Sequence, residues 1–579
     1  MRASLPNFPK SGGEHRILVA SFEPTCNMLP MRFLVTCLTL LPVLALAQSQ
    51  VELPTPDVQS FWNRASWHEE HTGKTYIGEV LEADWDFFEV ADHAVVNGEE
   101  IWRLRVGVEG APALAIYFED MHLPVGGQLV CQTPSGAFPT AYADTPIDAS
   151  ENNPHGRYVT GEIPGDVVEM TYTQPVGTIG TPSLRINGVG YFIRYLWLPE
   201  AFDLIGDGGD RGSDFCQVDV NCPEGDDWKC QRDAVARLRV SMGGSIFYCS
   251  GAMVNNTARD CRQLLLSSFH CADAMADTDW AYLKVRYNYE YTECGGTVSL
   301  NSHDRTGVFF LTGSDDMTGS NITGSDFLLM EVEDPIFESW TPYLAGWDAT
   351  GVPATEAVGI HHPSGDRKKI STSFDPLASS SAYAAGAHWR VTWDETETSH
   401  GVTEGGSSGS PIFDQNQRIV GTLTGGASFC TSPNSPDYYG KMSYHWDGPN
   451  PITTAEKLQA FLDPAGTGEE ILDGTYIGDG SSCEPEDFCT ALNVESTLLT
   501  RPSWAMYPNP ASGEVQLALP TTLALVDVRV YDAQGRMVRS LADATGVSTF
   551  SVAGLPSGLY YVTVRSPSGA SGTQALRVE

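Results

Sequence analysis

The sequence predicts a multidomain protein built mainly from β-strands. Its 579 residues leave room for roughly three or four domains of ordinary size. The chain contains 57 Gly and 36 Pro, and only 18% of its residues are charged, a composition typical of short strands joined by turns. Segments such as 102–106 (WRLRV) and 191–195 (YFIRY) have the composition of strands. We therefore predict the all-β class.

The net charge excludes two kinds of partner, and the cysteine content indicates disulfide bonds. The net charge of −39 repels nucleic acid and anionic membrane surfaces, so neither is expected as a partner. Ten of the 13 cysteines lie between 216 and 489. In an exported protein such a cluster is typical of a disulfide framework.

Residues 1–47 contain the pattern of a secretory signal. Arg32 provides a positive charge, 33–46 are largely apolar, and Ala45-Leu46-Ala47 form a small-residue cleavage site. The apolar stretch is too short for a permanent membrane helix, and no later segment approaches 18 consecutive apolar residues. We expect an exported chain that has no transmembrane segment once the signal is removed.

The rest of the chain divides into four segments. Residues 48–210 are strand-rich, carry no catalytic constellation, and form the expected pro-region. Its run 68–71 (HEEH) spaces the histidines by three rather than the four of a zinc helix, so we interpret it as a polar turn. Neither a metal nor another cofactor is expected. A cysteine-rich domain at 211–475, a linker at 476–500 and a near-neutral tail at 501–579 follow.

Three residue types in the order His, Asp, Ser indicate nucleophilic catalysis. Ser408 lies in the run 406–411 (GSSGSP), where small neighbours permit a tight turn that exposes a hydroxyl and lets N–H groups converge on an oxyanion. His270 follows an apolar run and precedes a cysteine, and Asp326 stands at the head of a predicted strand. Asp315 and Asp316 are nearby alternatives to Asp326.

With these residues the segment 211–475 resembles the chymotrypsin-like serine endopeptidases, most closely the secreted bacterial lysyl endopeptidases. Further blocks match that family in order: 216–226, 254–258 (VNNTA), 345–348 (AGWD), 360–363 (IHHP), 401–404 (GVTE) and 461–464 (FLDP). The resemblance implies a double β-barrel with the active site between the barrels. It also implies Ser408 as nucleophile, His270 as general base, Asp326 as its orienting carboxylate, and the N–H groups of Gly406 and Ser408 as the oxyanion hole. For His361 and His362 we expect a structural role.

The same resemblance implies a substrate pocket and three disulfides. Asp437 matches the pocket carboxylate that would pair with a substrate ammonium, and Gly425 and Gly426 would offer backbone to an extended substrate. Thr424 and Tyr383 depart from the family, which has a histidine and a tryptophan near these positions. The implied disulfides are Cys216–Cys430, Cys222–Cys294 and Cys249–Cys271. Cys230 with Cys261 and Cys483 with Cys489 remain as further pairs, and Cys131 is left single.

The tail resembles the C-terminal sorting domain of the type IX secretion system. It begins with 507–510 (YPNP) and continues with alternating strands, which predict a small β-sandwich. The resemblance implies a secreted or cell-surface protein whose partner is the type IX machinery.

We therefore expect a monomeric serine endopeptidase that acts on proteins or peptides, with lysine preferred before the cut bond. Arginine or dual preference in the same fold is the first alternative. A catalytically inactive adhesin on a protease scaffold is the second. The mature start is expected near Arg211, although no lysine lies between Lys74 and Lys229.

Overall fold

The computed structural model of the chain describes most of the pro-region, most of the protease domain and parts of the tail. The described residues are 49–72, 74–134, 144, 146–194, 212–296, 302–314, 317–318, 321–334, 336–449, 453–477, 505–507, 511–518, 526–532, 537–544, 547–565 and 571–578. The predicted signal region, Arg211, Cys483 and Cys489 lie outside them.

The pro-region contains eleven strands and two helices among its described residues. Alternation of buried and partly exposed residues along 167–174 explains why this segment forms a strand, with Val168, Met170 and Tyr172 facing the core. The elements are β1 (Gln50–Leu53), α1 (Val58–Thr72), β2 (Thr75–Asp86), α2 (Phe87–Val90), β3 (Asp92–Val96), β4 (Glu99–Val108), β5 (Ala113–His122), β6 (Gln128–Gln132), β7 (Ile147–Asp148), β8 (Tyr158–Val159), β9 (Ile163–Pro164), β10 (Val167–Pro175) and β11 (Ser183–Phe192).

The first half of the protease domain is a set of antiparallel strands followed by irregular segments. Strands β13 (Val235–Met242) and β14 (Ser245–Val254) are almost wholly buried, although one face of β13 carries Arg237, Arg239 and Ser241. The elements are β12 (Val218–Asp219), α3 (Lys229–Ala234), β13 (Val235–Met242), β14 (Ser245–Val254), β15 (Leu264–Ser267), β16 (Lys284–Tyr287), β17 (His303–Thr306), β18 (Val308–Gly313), β19 (Met317–Thr318), β20 (Asn321–Ile322) and β21 (Leu328–Val332).

The second half forms a separate ten-stranded sheet, whose main path is β12-β25-β24-β28-β29-β30-β27-β26. Two sheets of this kind correspond to the two barrels that the resemblance implies. The elements are β22 (Tyr343–Leu344), β23 (Trp347–Asp348), β24 (Ala357–His361), β25 (Lys369–Ser373), β26 (Ala378–Ser380), β27 (His388–Val391), β28 (Pro411–Asp414), β29 (Ile419–Gly426), β30 (Asp437–Lys441), α4 (Met442–Asp447), α5 (Leu458–Leu462), β31 (Ile471–Leu472) and β32 (Thr475–Tyr476).

The tail folds into a three-stranded and a four-stranded sheet with a hydrophobic core of its own, as predicted for a β-sandwich. Its elements are β33 (Ala505–Tyr507), β34 (Glu514–Ala518), β35 (Val526–Asp532), β36 (Met537–Ala544), β37 (Val547–Ser551), β38 (Gly558–Arg565) and β39 (Ser571–Val578). The predicted all-β class is confirmed.

One finding differs from the expectations, and another adds to them. The run 68–71 lies within the helix α1, not in a turn, because the helix continues to Thr72. The first barrel closes through the pairings β16-β13-β14-β15-β21-β18, and β18 continues back through β17, which pairs with β16. Its strand β14 pairs with β2 of the pro-region, so a single twelve-stranded sheet runs through both segments.

Candidate active site

His270 lies in a short 3-10 turn (Phe269–Cys271) that follows β15. The next residue, Cys271, is joined by a disulfide to Cys249 in β14, which fixes the turn against the barrel. The side chain of His270 is buried, with 3% of its surface exposed. The imidazole is therefore held in one place by its neighbours in the chain.

Asp326 contacts His270 through two hydrogen bonds, one to the imidazole ring and one to the backbone. Its Oδ2 lies 2.7 Å from Nδ1 of His270, and its Oδ1 accepts from the backbone N–H of His270 at 2.9 Å. Asp326 has a φ of 60°, a left-handed backbone conformation that residues other than glycine rarely adopt. It is fully buried just before β21. With Nδ1 engaged in this way, Nε2 is the basic nitrogen. Within the described part of the chain Nε2 has no hydrogen-bond partner.

Ser408 lies in a turn that requires glycine on both sides. Gly406 and Gly409 have φ values of 90° and 81°. A Cβ at Gly409 would approach Oγ of Ser267 to 2.1 Å, and one at Gly406 would approach the backbone N of Gly365 to 2.8 Å. The two glycines of the run Gly-Ser-Ser-Gly are thus needed both for backbone conformation and for space.

The serine turn is attached to the first barrel by Ser250 of β14. The backbone N–H of Ser250 donates to the carbonyl of Ser408 at 2.8 Å, and its hydroxyl donates to the carbonyl of Gly406 at 2.9 Å. Sγ of Cys271, next to His270, lies 3.7 Å from the same Ser408 carbonyl. The backbone N–H groups of Gly406 and Ser408 donate to no acceptor among the described residues. The histidine turn and the serine turn are therefore neighbours.

His361 and His362 are buried behind this turn and make polar contacts of their own. Nδ1 of His361 lies 2.8 Å from Oγ of Ser407, and its Nε2 lies 3.0 Å from Oγ of Ser371. Burial, with a smaller contribution from Lys369, lowers the pKa of His361 to about 3. Nδ1 of His362 contacts the carbonyl of Asp366 at 2.8 Å. These contacts agree with the structural role expected from the sequence.

Asp437 begins β30 and is fully buried. Its Oδ2 accepts from Nε1 of Trp393 at 2.7 Å, from Oγ1 of Thr403 at 2.8 Å and from Oγ of Ser428 at 2.6 Å. Burial raises the pKa of this carboxyl, and the hydrogen bonds from Ser428, Trp393 and Thr403 oppose that rise. No ion pair joins Asp437 to a basic side chain within the described residues. A buried carboxylate supported by neutral donors can accept a cation from outside the chain.

Gly425, Gly426 and Tyr383 line the same region as Asp437. A Cβ at Gly426 would approach Oδ1 of Asp437 to 1.9 Å, so only glycine fits there. A Cβ at Gly425 would lie 3.2 Å from the hydroxyl of Tyr383, which places this half-exposed tyrosine beside the strand end. The end of strand β29 therefore lies next to both Tyr383 and Asp437.

Sequence reasoning did not identify His388. It is buried in β27, with Nε2 3.0 Å from Oγ1 of Thr424 and its ring centroid 5.0 Å from that of Tyr383. Burial lowers the pKa of His388 to about 4, and the nearby Asp326 carboxylate opposes the change. His388 of β27 therefore contacts Thr424, which lies in β29. Its local sequence, 386–389 (GAHW), contains no signal for this, because the pairing of β27 with β30 creates the contact.

All three disulfides implied by the resemblance are present: Cys216–Cys430, Cys222–Cys294 and Cys249–Cys271. Cys230 and Cys261 are also disulfide-bonded, and Cys131 is a buried free thiol. The described residues contain no group of three or more His, Cys, Asp or Glu side chains arranged to hold a metal ion. No described helix is long and apolar enough to cross a membrane.

Two family models match the chain. Residues 211–440 match the lysyl endopeptidase C-terminal domain, and residues 505–578 match the secretion system C-terminal sorting domain. The lysyl endopeptidase of Pseudomonas aeruginosa is 30% identical over 318 residues, which cover 51% of this chain and 62% of the relative. The chain thus matches less than two thirds of that relative's length.

Solved structures of proteases are also similar to parts of the chain. The thermostable protease AL20 from an extremophilic microorganism has 13% identity and a TM-score of 0.27, with 37% of this chain and 93% of that chain covered. The protease Anisep from Arthrobacter nicotinovorans has 14% identity and a TM-score of 0.26, with 36% and 90% covered.

The sorting-domain match confirms the expected secreted or cell-surface location. Together the two family matches confirm the resemblance found in the sequence: the chain carries a domain of the lysyl endopeptidase type followed by a secretion sorting domain.

Proposed function

We propose that this protein is a secreted serine endopeptidase that hydrolyses peptide bonds after lysine. The observation that carries the proposal is the pair of hydrogen bonds that Asp326 accepts from His270, beside the glycine-bounded turn of Ser408. A buried carboxylate that engages Nδ1 leaves Nε2 free to accept a proton, which is what a serine nucleophile needs from its base.

In the proposed reaction Ser408 Oγ attacks the peptide carbonyl while Nε2 of His270 accepts the hydroxyl proton. The N–H groups of Gly406 and Ser408 donate to the developing oxyanion. His270 then passes its proton to the leaving amine, and the C–N bond breaks to give an acyl-enzyme. Water, activated by His270, releases the acid product and restores the serine.

The proposed preference for lysine depends on Asp437. A substrate ammonium that enters this region would find a carboxylate already ordered by Trp393, Thr403 and Ser428, so little reorganisation is needed on binding. An arginine guanidinium has the same charge and greater length. Preference between the two therefore depends on the space around Tyr383 and Gly425.

Purified wild-type protein and the Ser408→Ala variant test the proposal with a mixed peptide library, whose cuts are mapped by mass spectrometry. Cuts after lysine by wild type alone, at a rate at least 10³-fold above the variant, are expected. Cuts after arginine would change the preference but not the class. A wild-type protein that neither cuts the library nor reacts with a serine-directed fluorophosphonate would be an inactive scaffold.

A further inference from the structure

The pro-region and the protease domain share one β-sheet. Strand β2 pairs in antiparallel fashion with β14, with Glu79 opposite Ser245 and Thr75 opposite Tyr248. Apolar residues from both segments also pack in common clusters, for example Ile77 and Phe192 with Ile246. Loss of the pro-region would therefore expose a strand edge as well as core side chains.

A single carboxylate of the pro-region, Glu162, lies among three arginines of the protease domain. Its Oε1 is 3.0 Å from Nη2 of Arg237 and 3.4 Å from Nη1 of Arg239, and its Oε2 is 3.0 Å from Nη2 of Arg286. All four side chains are at least 92% buried, since none has more than 8% of its surface exposed. Burial opposes ionisation of Glu162, but the three guanidinium groups lower its pKa well below the usual range.

The protease domain does not supply the charge balance of this cluster by itself. Asp304 pairs with Arg286 at 2.7 Å and with Lys284 at 3.7 Å. Among the described residues, Arg237 and Arg239 have no ion-pair partner other than Glu162. If Glu162 were replaced within the complex, two buried guanidinium groups would remain unpaired, and an uncompensated buried charge is strongly destabilising.

Further polar contacts cross the same boundary. Nζ of Lys74 lies 2.5 Å from Oδ1 of Asp273, and the hydroxyls of Tyr117 and Ser241 are 2.6 Å apart. The free thiol of Cys131 forms no disulfide with the protease domain. Within the described residues the association therefore depends on non-covalent contacts.

We propose that the pro-region segment 74–194 stays bound to the protease domain after the chain is cut between 194 and 212, so that the working protein is a two-chain complex anchored by Glu162. The complex requires only that the connecting segment is cut, whichever protease cuts it, and so it is independent of the proposed peptidase activity.

The test uses the full chain after signal removal, with Ser408→Ala to prevent self-digestion. A recognition site for a sequence-specific protease is inserted after Asp210. After cleavage, gel filtration should give one peak that contains both polypeptides, which separate only on a denaturing gel. Two separate peaks, with a protease domain that keeps its circular dichroism spectrum, would overturn the proposal.

Glu162→Gln tests the anchor because it removes the charge but preserves the shape of the side chain. We expect the cut pro-region to dissociate at least tenfold faster on dilution. Glu169→Gln is the matched control, since Glu169 pairs with Arg105 inside the pro-region at 3.0 Å and should leave dissociation unchanged.

Equal dissociation rates for Glu162→Gln and wild type would contradict the role of Glu162. If Glu162→Gln does not accumulate as folded protein, Ser241→Ala replaces it, because it removes only the hydroxyl contact to Tyr117. The cut pro-region of Ser241→Ala should then dissociate moderately faster than that of wild type. The proposal would be overturned if the rate did not increase and cut wild type gave separate gel-filtration peaks.

Discussion

Nδ1 of His361 lies 2.8 Å from Oγ of Ser407, the residue immediately before Ser408. The same imidazole contacts Ser371 through Nε2, so it links β25 to the serine turn. A buried neutral histidine thereby contacts the residue that precedes the proposed nucleophile and helps to fix the backbone whose N–H groups would form the oxyanion hole.

We predict that His361→Gln lowers kcat/KM by about 10- to 100-fold, because loss of a buried hydrogen bond costs about 1 to 3 kcal/mol and loosens the turn. Measurement of kcat/KM against pH checks this role. The acid limb should stay where it is in wild type, since His270 is the proposed base. An acid limb that moves in the variant would instead make His361 part of the proton transfer.

Asp437→Asn should weaken cleavage after lysine by about 30-fold to several thousand-fold, because loss of a buried charge partner costs about 2 to 5 kcal/mol. The comparison is kcat/KM for lysyl peptides. Labelling by an uncharged fluorophosphonate should remain close to wild type, since that reagent has no ammonium. Asp375→Asn, at an exposed carboxyl, is the control. An equal kcat/KM for both variants would place the specificity determinant elsewhere.

Acid should destabilise the protein through its buried histidines. Nδ1 of His445 contacts Ser325, the residue before Asp326, and burial followed by the charge of His388 lowers the pKa of His445 to about 3. In the unfolded chain a histidine titrates near 6.5. The contribution of His445 to the free energy of unfolding is therefore complete above about pH 6.5. It is lost as the pH falls towards 3, at about 1.4 kcal/mol per pH unit.

In the Ser408→Ala background, His445→Gln should reduce the fall in melting temperature between pH 6.5 and pH 4.5. His122→Gln, at an exposed histidine, should not. An identical pH dependence for His445→Gln and its parent would show that this histidine is not buried in neutral form.

Deletion of the tail from Arg501 onward should leave peptidase activity unchanged but strand the protein in the periplasm. The reason is that the tail has its own core and contributes none of the proposed catalytic groups. Activity assays on periplasmic and external fractions measure both effects. Normal amounts of the truncated protein outside the cell would refute the sorting role.

The order His270, Asp326, Ser408 and the glycines around the serine could be predicted from the sequence, because a tight turn and a strand start leave local signals. The resemblance added Asp437 and three disulfide pairs. The three disulfides are present in the structure, and Asp437 lies beside Gly426. Each of these features lies in a short block of residues, and the bond, turn or charge that the block provides allows few residue types.

Tertiary structure alone decided three other features. His388 reaches Thr424 through the register of β27, His361 reaches Ser407 across 46 residues, and Glu162 meets Arg237 across 75. No local pattern predicts which residue each of these side chains contacts, because strand pairing between distant segments determines which side chains meet. The same physics explains why the sequence predicted a separate pro-region while the structure has one sheet shared with the protease domain.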